Sequence, residues 1–378
     1  MKKLIAVLLP LMLSGMSAQA DIVIGRLGSL KNPIPAPTTA AAAGGFDLYV
    51  RKINEEGGVA GQKLSVVFRD DEFDPRKVVE RSRELINEDK AVVLITPQGT
   101  PGTEALIKEG VLKDEHIAVL GPFTGASQVL AAPNIFPLRS SYEDEVAAIA
   151  RQMNILFQKR VAYLYYKTSQ GPLFEPVFQR IVKEAGLEYV GSAGFDIDPD
   201  PAKQAQLVAK AVEQLKGQRP DAVFAFAVGP TFPMSMLSLK EVLGPAVGRY
   251  TFSINNWEAL VKKIGAADAQ GVVFSQAVPY PFGVKRKIVT EYLQDLKHYS
   301  PETTPNFSGL EGYMTAKVLV TALRRAGANP SREKVLAALE GLGRLDLGDY
   351  VLNYSPVLHR VEPSVDITII GSTGNLMK

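Results

Sequence analysis

The sequence predicts an α/β fold of two Rossmann-like lobes, each a parallel sheet flanked by helices, joined by three hinge crossings. Short apolar runs alternate with longer helical patterns along most of the 378 residues. Runs that are apolar throughout, instead of at every second position, are typical of parallel strands buried on both faces. A chain of this length is also expected to form more than one domain.

The predicted strands and helices follow one another in a regular order from Ile22 onward. The glycine pair in NEEGGVAGQ is a typical end for the first helix. Asp74 and Pro75 have the residue types of an N-cap and a first helical position, so they predict the start of the second. In chain order the segments are IVIG, GGFDLYVRKIN, KLSVVF, VVERSRELINE, AVVLIT, IAVLG, EVAAIARQM, RVAYLYY, FEPVFQRIVKEAG, QLVAKAVEQLK, DAVFAFAVG and YTFSI.

The alternation of strands and helices breaks at three places, which predict the crossings. The breaks lie at NIFPLRSSYEDE, at GVVFSQAVPYPFG, and near residue 345, where strand-like runs return. Two lobes with three crossings enclose a cleft and hinge at the crossings. The predicted first lobe comprises residues 21–139 and 278–344, and the second comprises 140–277 and 345–378.

Residues 1–20 are predicted to be a secretory signal peptide. Lys2 and Lys3 precede an apolar run, and the small residues AQA end the segment. The run from Leu4 to Leu13 is shorter than the ~20 apolar residues that span a bilayer. We therefore expect a soluble, exported protein. The chain has no cysteine, so neither a disulfide nor a lipid-anchor thiol is expected.

The charge balance argues against a nucleic-acid partner. The chain has 42 Lys and Arg and 40 Asp and Glu, so removal of the two signal-peptide lysines leaves 40 against 40. A near-zero net charge provides no electrostatic attraction to nucleic acid or to an anionic membrane surface. We expect neither of these partners, and we expect the protein to be a monomer.

Common catalytic and metal-binding motifs are absent from the sequence. His116, His298 and His359 are widely spaced, which does not match clustered metal ligands. VGSAG does not fit the nucleophile elbow, DIDPDP lacks the glycine and glutamate of a calcium loop, and no P-loop lysine follows a glycine-rich turn. We therefore expect no metal, no cofactor and no enzymatic activity. The rival hypothesis is an exported hydrolase that uses Asp144 and Glu258 as its paired carboxylates.

Two similar loops follow successive predicted strands. The segments VVLITPQGTPGTEAL and VLGPFTGAS each have an apolar strand, a turn with glycine and threonine, and a helix start. Ligands bind at the carboxyl ends of parallel strands in open sheets. Thr100 and Thr124 can donate hydroxyl hydrogen bonds, Phe123 can form an apolar wall, and helix N-termini favour an anion. Ordinary turn and capping roles are the alternative for such residues.

The order of these segments resembles the periplasmic substrate-binding proteins of ABC transporters, in the branch that binds branched-chain amino acids and amides. The resemblance covers nearly the whole mature chain. It is carried by INEEGGVAGQKLSVVFRDDEFDP, LITPQGTPGTEAL, VLGPFTGAS, PLRSSYEDE and SGLEGYMTAKVLVTALRRAG. It implies the type I periplasmic binding fold.

The resemblance also implies ligand-binding positions. Asp144 matches the acid that binds a ligand ammonium, although a helix-capping role with Ser141 fits it equally well. Gln170 stands where tyrosine is frequent, and the acid expected after YTFSI falls on Asn255, Asn256 or Trp257, one step before Glu258. The implied first-lobe contacts are Gln98, Gly99, Thr100, Gly121, Phe123 and Thr124.

The function implied by the resemblance is delivery of a small carboxylate-bearing ligand to an ABC permease. The departures from the family pattern favour an amide, an aromatic carboxylate or another organic acid over an aliphatic α-amino acid. A ligand-sensing subunit that docks on a membrane receptor would use the same cleft. These two functions differ only in the partner that binds the outer faces of the lobes.

Overall fold

The computed structural model describes residues 20–167 and 170–378, so the predicted signal peptide lies outside the described residues except for Ala20. The strands are β1 (Ile22–Gly28), β2 (Leu64–Asp70), β3 (Leu94–Ile95), β4 (Val119–Leu120), β5 (Ile135–Phe136), β6 (Arg160–Tyr166), β7 (Glu188–Phe195), β8 (Ala222–Phe226), β9 (Gly248–Thr251), β10 (Val272–Gln276), β11 (Gly343–Asp346), β12 (Val351–Ser355), β13 (Leu358–Val361), β14 (Asp366–Ile370) and β15 (Leu376–Met377).

The described helices lie mostly between successive strands, as the alternating pattern predicts. They are α1 (Ala36–Glu55), α2 (Pro75–Asn87), α3 (Thr100–Lys108), α4 (Val111–Asp114), α5 (Ser127–Leu130), α6 (Tyr142–Ile155), α7 (Gln170–Glu184), α8 (Pro201–Lys216), α9 (Thr231–Leu243), α10 (Trp257–Ile264), α11 (Ala266–Ala269), α12 (Lys287–Tyr299), α13 (Phe307–Ala326) and α14 (Arg332–Glu340). None of the helices within the described ranges is long and apolar enough to cross a membrane.

Two sheets form the centres of the two lobes, which confirms the predicted α/β class. The first sheet has the order β2-β1-β3-β4-β5, and all of its strands are parallel. The second has the order β15-β14-β10-β9-β8-β6-β7. Its strands β6 to β10 are parallel, whereas β14 and β15 add to its edge in antiparallel pairs. The carboxyl ends of the parallel strands therefore define one edge of each sheet.

The chain passes between the two sheets three times, as predicted. The crossings are residues 137–141 after β5, 277–286 after β10, and 362–365 after β13. The hydroxyl of Tyr350 donates to the carbonyls of Leu138 at 2.7 Å and Ala277 at 3.2 Å, which ties the first two crossings together. The N–H of Ser364 donates to Ser140 Oγ at 3.4 Å and links the third.

A third, antiparallel sheet of β11, β12 and β13 packs on the first lobe. Leu352, Tyr354 and Val361 share a buried cluster with first-sheet residues such as Phe136. His359 stacks on the Phe136 ring at 4.0 Å between centroids. The predicted boundary at residue 344 is therefore too early, because the alternating apolar residues of this sheet are buried against the first-lobe core. Only β14 and β15 join the second sheet.

The helices α1 and α13 approach each other closely at small residues. A Cβ atom added to Gly45 would lie 1.7 Å from the carbonyl oxygen of Gly309, and one added to Gly312 would lie 2.0 Å from that of Ala42. Side chains at these positions would separate the helices, so glycine is required there. The small residues of the segment TTAAAAGG, at positions 38–45, therefore serve helix packing.

A buried ion pair joins the first crossing to α13. Arg139 Nε and Nη2 donate to the two carboxylate oxygens of Glu311 at 3.0 and 2.9 Å, and the side chains are 4% and 1% exposed. Burial alone would lower the pKa of the Arg139 guanidinium, but the Glu311 carboxylate outweighs this effect and raises it. The bidentate geometry fixes the start of the crossing relative to the first lobe.

We predict that Glu311→Gln strongly destabilises the protein. The substitution leaves the Arg139 charge buried without its counter-ion, which typically costs about 3–5 kcal/mol in the free energy of unfolding. Urea unfolding followed by circular dichroism measures the change. Glu184→Gln, which breaks the exposed i,i+4 pair with Arg180, is the matched control and should change little. Equal effects of the two substitutions would contradict the prediction.

A buried carboxyl group stabilises the turn after β2. Asp71 is inaccessible to solvent, and one of its oxygens accepts the N–H of Phe73 at 2.8 Å. Its other oxygen has no hydrogen-bond partner among the described residues. Burial raises the pKa of this carboxyl to about 6. Glu72 and Phe73 both adopt positive φ values in the turn, so Asp71 holds a conformation that few side chains favour.

The stability of the turn should depend on pH. The pKa of Asp71 is about 6 in the folded chain against an ordinary 3.8, so the folded state binds the proton more tightly. The contribution of the protonated Asp71 carboxyl to the free energy of unfolding is full below pH ~4 and is lost as the pH rises through ~6. Asp71→Asn stays neutral, so its stability relative to the parent should increase between pH 4 and pH 7. Unfolding curves of both proteins at these two pH values test this expectation, and a pH-independent difference would refute it.

Candidate functional site

A cavity of about 820 Å³ lies between the lobes. Its wall is built from the loops at the carboxyl ends of strands in both sheets and from the first residues of the helices that follow. This is the edge of an α/β sheet at which ligands bind. Helices α1, α3, α6, α7, α8, α9, α10 and α13 all begin at or beside residues of the wall.

The two first-lobe loops that the sequence singles out lie side by side and bond to each other. Gly99 N–H donates to the Phe123 carbonyl at 3.2 Å, and Phe123 N–H donates to the Pro97 carbonyl at 3.0 Å. Gln98 and Phe123 form a parallel bridge that extends the sheet. Both residues line the cavity with Gly99. The N–H groups of Gly99 and Phe123 are therefore engaged within the protein and are not free donors for a ligand.

Gly99 has a backbone conformation that few residues other than glycine adopt. Its φ is +78°, and a Cβ atom there would lie 2.9 Å from the Phe73 ring. Glycine therefore lets the turn close over Phe73, which also lines the cavity.

The two threonines of these loops have different positions. Thr100 lines the cavity, whereas Thr124 is fully buried behind it and is not part of the wall. Their hydroxyl oxygens are 2.6 Å apart. Thr124 Oγ1 also accepts the N–H of Ala126 at 3.2 Å. Thr124 thus orients Thr100 without itself reaching the cavity.

Gly121 and Asp144 also lie away from the cavity wall. Gly121 donates its N–H to the Phe136 carbonyl at 2.9 Å. Asp144 forms a capping box with Ser141: its carboxylate accepts the Ser141 N–H at 3.1 Å and hydroxyl at 2.7 Å. Of the two interpretations that the sequence left open for Asp144, the structure shows the helix-capping one.

The second-lobe residues singled out from the sequence do line the cavity. Asn255 donates through its amide to the Ala227 carbonyl at 2.9 Å and to Thr251 Oγ1 at 2.8 Å, which fixes its orientation. Asn256 is the N-cap of α10 and accepts the Ala259 N–H. The cavity-lining residues of this group are Gln170, Asn255, Asn256, Trp257 and Glu258.

Several wall residues were not predicted. Arg139 lines the cavity and its guanidinium carbon lies 5.2 Å from the centre of the Phe123 ring. Tyr142, only 6% exposed, follows the Ser141 cap, and Phe226 and Gln276 end β8 and β10. Arg139 and Gln276 lie within two of the predicted breaks, NIFPLRSSYEDE and GVVFSQAVPYPFG. Treating polar residues at the breaks as candidates for the cleft would have identified both.

A buried acid connects three segments of the second lobe behind this wall. Glu145 accepts the Ser253 N–H at 2.9 Å, the Ser253 hydroxyl at 3.0 Å and the Ser275 hydroxyl at 2.5 Å. Burial raises the pKa of this carboxyl, and the nearby Arg139 opposes the effect. Ser253 and Gln276 line the cavity. Glu145 therefore positions two parts of the wall from α6.

Charged side chains are scarce on the wall. Among the described residues that line it, only Arg139, Asp198 and Glu258 are charged, and Arg139 is neutralised by Glu311. No three His, Asp or Glu side chains within residues 20–167 and 170–378 are grouped so that they could hold a metal ion.

The chain is similar to known binding proteins over most of its length. Residues 21–368 match the family model described as periplasmic binding protein. The Leu/Ile/Val-binding protein homolog 3 of Brucella melitensis biotype 1 is 25% identical over 357 residues, 93% of this chain and 92% of that protein. The Leu/Ile/Val-binding protein of Escherichia coli K12 is 30% identical over 176 residues, 45% of this chain and 46% of that protein.

Solved structures share the fold. The substrate-binding periplasmic protein from Ralstonia solanacearum superposes with a TM-score of 0.83 at 25% identity, covering 94% of this chain and 99% of that one. A solute-binding protein of an ABC transporter from R. palustris, solved in complex with benzoate, has a TM-score of 0.76 at 19% identity, covering 94% and 95%. The chain therefore belongs to the periplasmic binding protein family, with the type I, leucine-binding-protein-like fold that its sheets and crossings display.

Proposed function

We propose that this protein is an extracytoplasmic solute-binding protein that captures a small carboxylate-bearing ligand in the cavity between its lobes. It delivers the ligand to an ABC permease after export through its N-terminal signal peptide. The observation that carries the proposal is the cavity itself, because both lobes contribute polar side chains to its wall.

Helix N-termini support an anionic ligand. The helices that begin at the wall bring their positive dipole ends beside it. Side chains cap α6, α8, α10 and α13, whereas no side-chain hydrogen bond caps α1, α3 or α9. Thr100 adds a hydroxyl donor. Because Thr124 Oγ1 already accepts from Ala126, it can donate to Thr100, and the Thr100 proton is then available to a carboxylate.

Closure of the lobes would couple binding to delivery. Contacts that bridge the lobes include the Gln170 amide, which donates to Glu104 at 3.4 Å, and Gly229, where an added Cβ atom would lie 2.8 Å from Ile34 Cγ1. A ligand that contacts both walls favours the closed state by its difference in affinity for the two states. Closure excludes water and strengthens the hydrogen bonds to the ligand.

In this function the ligand is bound and released unchanged. The hydrolase hypothesis needs Asp144 and Glu258 to face each other across the substrate, but Asp144 caps α6 away from the wall. A sensing subunit would use the same cavity and a different membrane partner. Uptake of the ligand by membranes that contain the cognate permease separates transport from sensing.

A ligand screen tests the proposed function. We expect the melting temperature of the mature protein to rise with one class among amino acids, amides, aromatic carboxylates and dicarboxylates. A ligand at 100 times its dissociation constant adds about 2.7 kcal/mol to the free energy of unfolding. Mass spectrometry of the recovered compound checks that it is intact. No shift with any class, or a chemically altered compound, would contradict the proposal.

The threonine pair gives a second prediction, with graded effects. Thr100→Val removes the direct donor and should weaken ligand binding roughly 10- to 100-fold, the range for a hydrogen bond to a charged group. Thr124→Val removes only the orienting group and should weaken it less. Isothermal titration calorimetry measures both affinities.

Thr321→Val is the control for these variants. Its hydroxyl bonds to the Lys317 carbonyl on α13, away from the cavity wall. Its affinity should equal that of the parent protein. If Thr100→Val also binds like the parent, the carboxylate is held elsewhere.

A further inference from the structure

We infer that the ligand is an aromatic carboxylate that lacks an ammonium group. This inference rests on the proposed function and narrows it. It is based on two features of the cavity wall: none of its described residues is a buried carboxylate that could pair with a cation, and many of them are aromatic.

The wall offers little to neutralise a ligand ammonium. Of the two carboxylates among the described lining residues, Glu258 is exposed in the first turn of α10. Asp198 is half-buried and accepts the Asp200 N–H at 2.8 Å in the turn before α8. Water therefore competes with a ligand ammonium for both carboxylates. An ammonium enclosed deeper in the cavity would lose its hydration without gaining an ion pair, which is strongly unfavourable.

The acid that the family resemblance assigns to an ammonium is engaged elsewhere. Both hydrogen bonds of the Asp144 carboxylate go to Ser141, and the residue is not part of the wall. The carboxylate of Glu145, the next residue, is buried behind the wall and accepts hydrogen bonds from the hydroxyls of Ser253 and Ser275. Neither carboxylate is placed to meet a ligand cation.

Apart from Asp198 and Glu258, the polar side-chain acceptors among the described lining residues are neutral. The side-chain nitrogens of Gln98, Asn255 and Gln276 donate to protein oxygens: to Thr96, to Ala227 and Thr251, and to Thr368, respectively. Their amide oxygens accept no hydrogen bond from the described residues and remain available. Such oxygens accept from a hydroxyl or an amide N–H, but they do not neutralise a full positive charge.

Aromatic rings surround this polar region from both lobes. Phe123 and Phe73 contribute from the first lobe, and Tyr142 and Phe226 contact each other in the second at 5.9 Å with an interplanar angle of 74°. The lining aromatic residues are Phe73, Phe123, Tyr142, Tyr166, Phe226, Trp257 and Phe307. Aromatic groups prefer offset or edge-to-face contacts with one another. Such a wall therefore suits the planar body of an aryl ring.

Two pairs of compounds that differ only in the α-ammonium test the inference. The first pair is 3-(4-hydroxyphenyl)propanoate and L-tyrosine, and the second is 4-methylpentanoate and L-leucine. Calorimetry should show that 3-(4-hydroxyphenyl)propanoate binds tightest, roughly 100-fold more tightly than tyrosine. Tighter binding of either amino acid than of its deaminated partner would overturn the inference and leave the proposed function standing.

The remaining outcomes are also decisive. Tighter binding of 4-methylpentanoate than of 3-(4-hydroxyphenyl)propanoate would overturn the aromatic part of the inference. If none of the four compounds binds to the folded protein, whose unfolding transition is recorded in parallel, the inference fails. The wider ligand screen then decides whether the proposed function fails with it.

A pair of variants tests the aromatic wall directly. Phe226→Leu removes a ring that lines the cavity, whereas Phe224→Leu removes a buried ring two residues earlier in β8 that does not. Phe226→Leu should weaken binding of 3-(4-hydroxyphenyl)propanoate roughly three- to tenfold, and Phe224→Leu should leave it unchanged. Equal affinities of the two variants would overturn the assignment of Phe226 to the ligand wall.

Discussion

The arrangement of the cavity depends on the buried pair of Arg139 and Glu311. Arg139 is the point at which the chain leaves the first lobe, and Glu311 lies on a long helix of that lobe. The guanidinium supports the Phe123 ring on one side, and the helix that starts at Tyr142 begins three residues after it. Displacement of Arg139 would therefore move both walls at once. A buried pair of this kind contributes more to defining one geometry than to net stability.

Behind the second wall, Glu145 has a comparable organising role. Its three hydrogen bonds hold Ser253 and Ser275, which belong to the segments that end in Asn255 and Gln276. One carboxyl group therefore fixes the relative positions of the wall residues in α6, in the loop after β9 and at the end of β10. The two buried acids, Glu311 and Glu145, lie on either side of the crossing and organise one wall each.

Much of this architecture could be predicted from the sequence. Continuous apolar runs identified the parallel sheets, and two breaks in their alternation coincide with the first two crossings. The third break, near residue 345, precedes the third crossing at residues 362–365. Of the glycine and threonine residues predicted from the first-lobe loops, Gly99 and Thr100 line the cavity, and their contact with a ligand stays a prediction. Thr124 was misplaced, because sequence spacing does not show which of two equivalent hydroxyls lies in front of the other.

Other features depend on tertiary contacts that the sequence does not display. Phe226 ends an apolar strand and cannot be distinguished from a core residue by pattern alone. Tyr142 stands two residues before Asp144, to which the family resemblance assigned the ligand contact in this segment. The sheet that ends at Val361 has the same alternation whichever lobe it covers, so its assignment required the packing against Phe136.

The pairing between the two first-lobe loops has a kinetic consequence. Because Gly99 and Phe123 are bonded to each other's loops as a continuation of the sheet, this half of the site is rigid before any solute arrives. A solute that docks there pays little entropy to order the loops. The association rate would then be set mainly by diffusion of the solute to an already formed surface. The dissociation rate would be set by how often the opposite lobe opens.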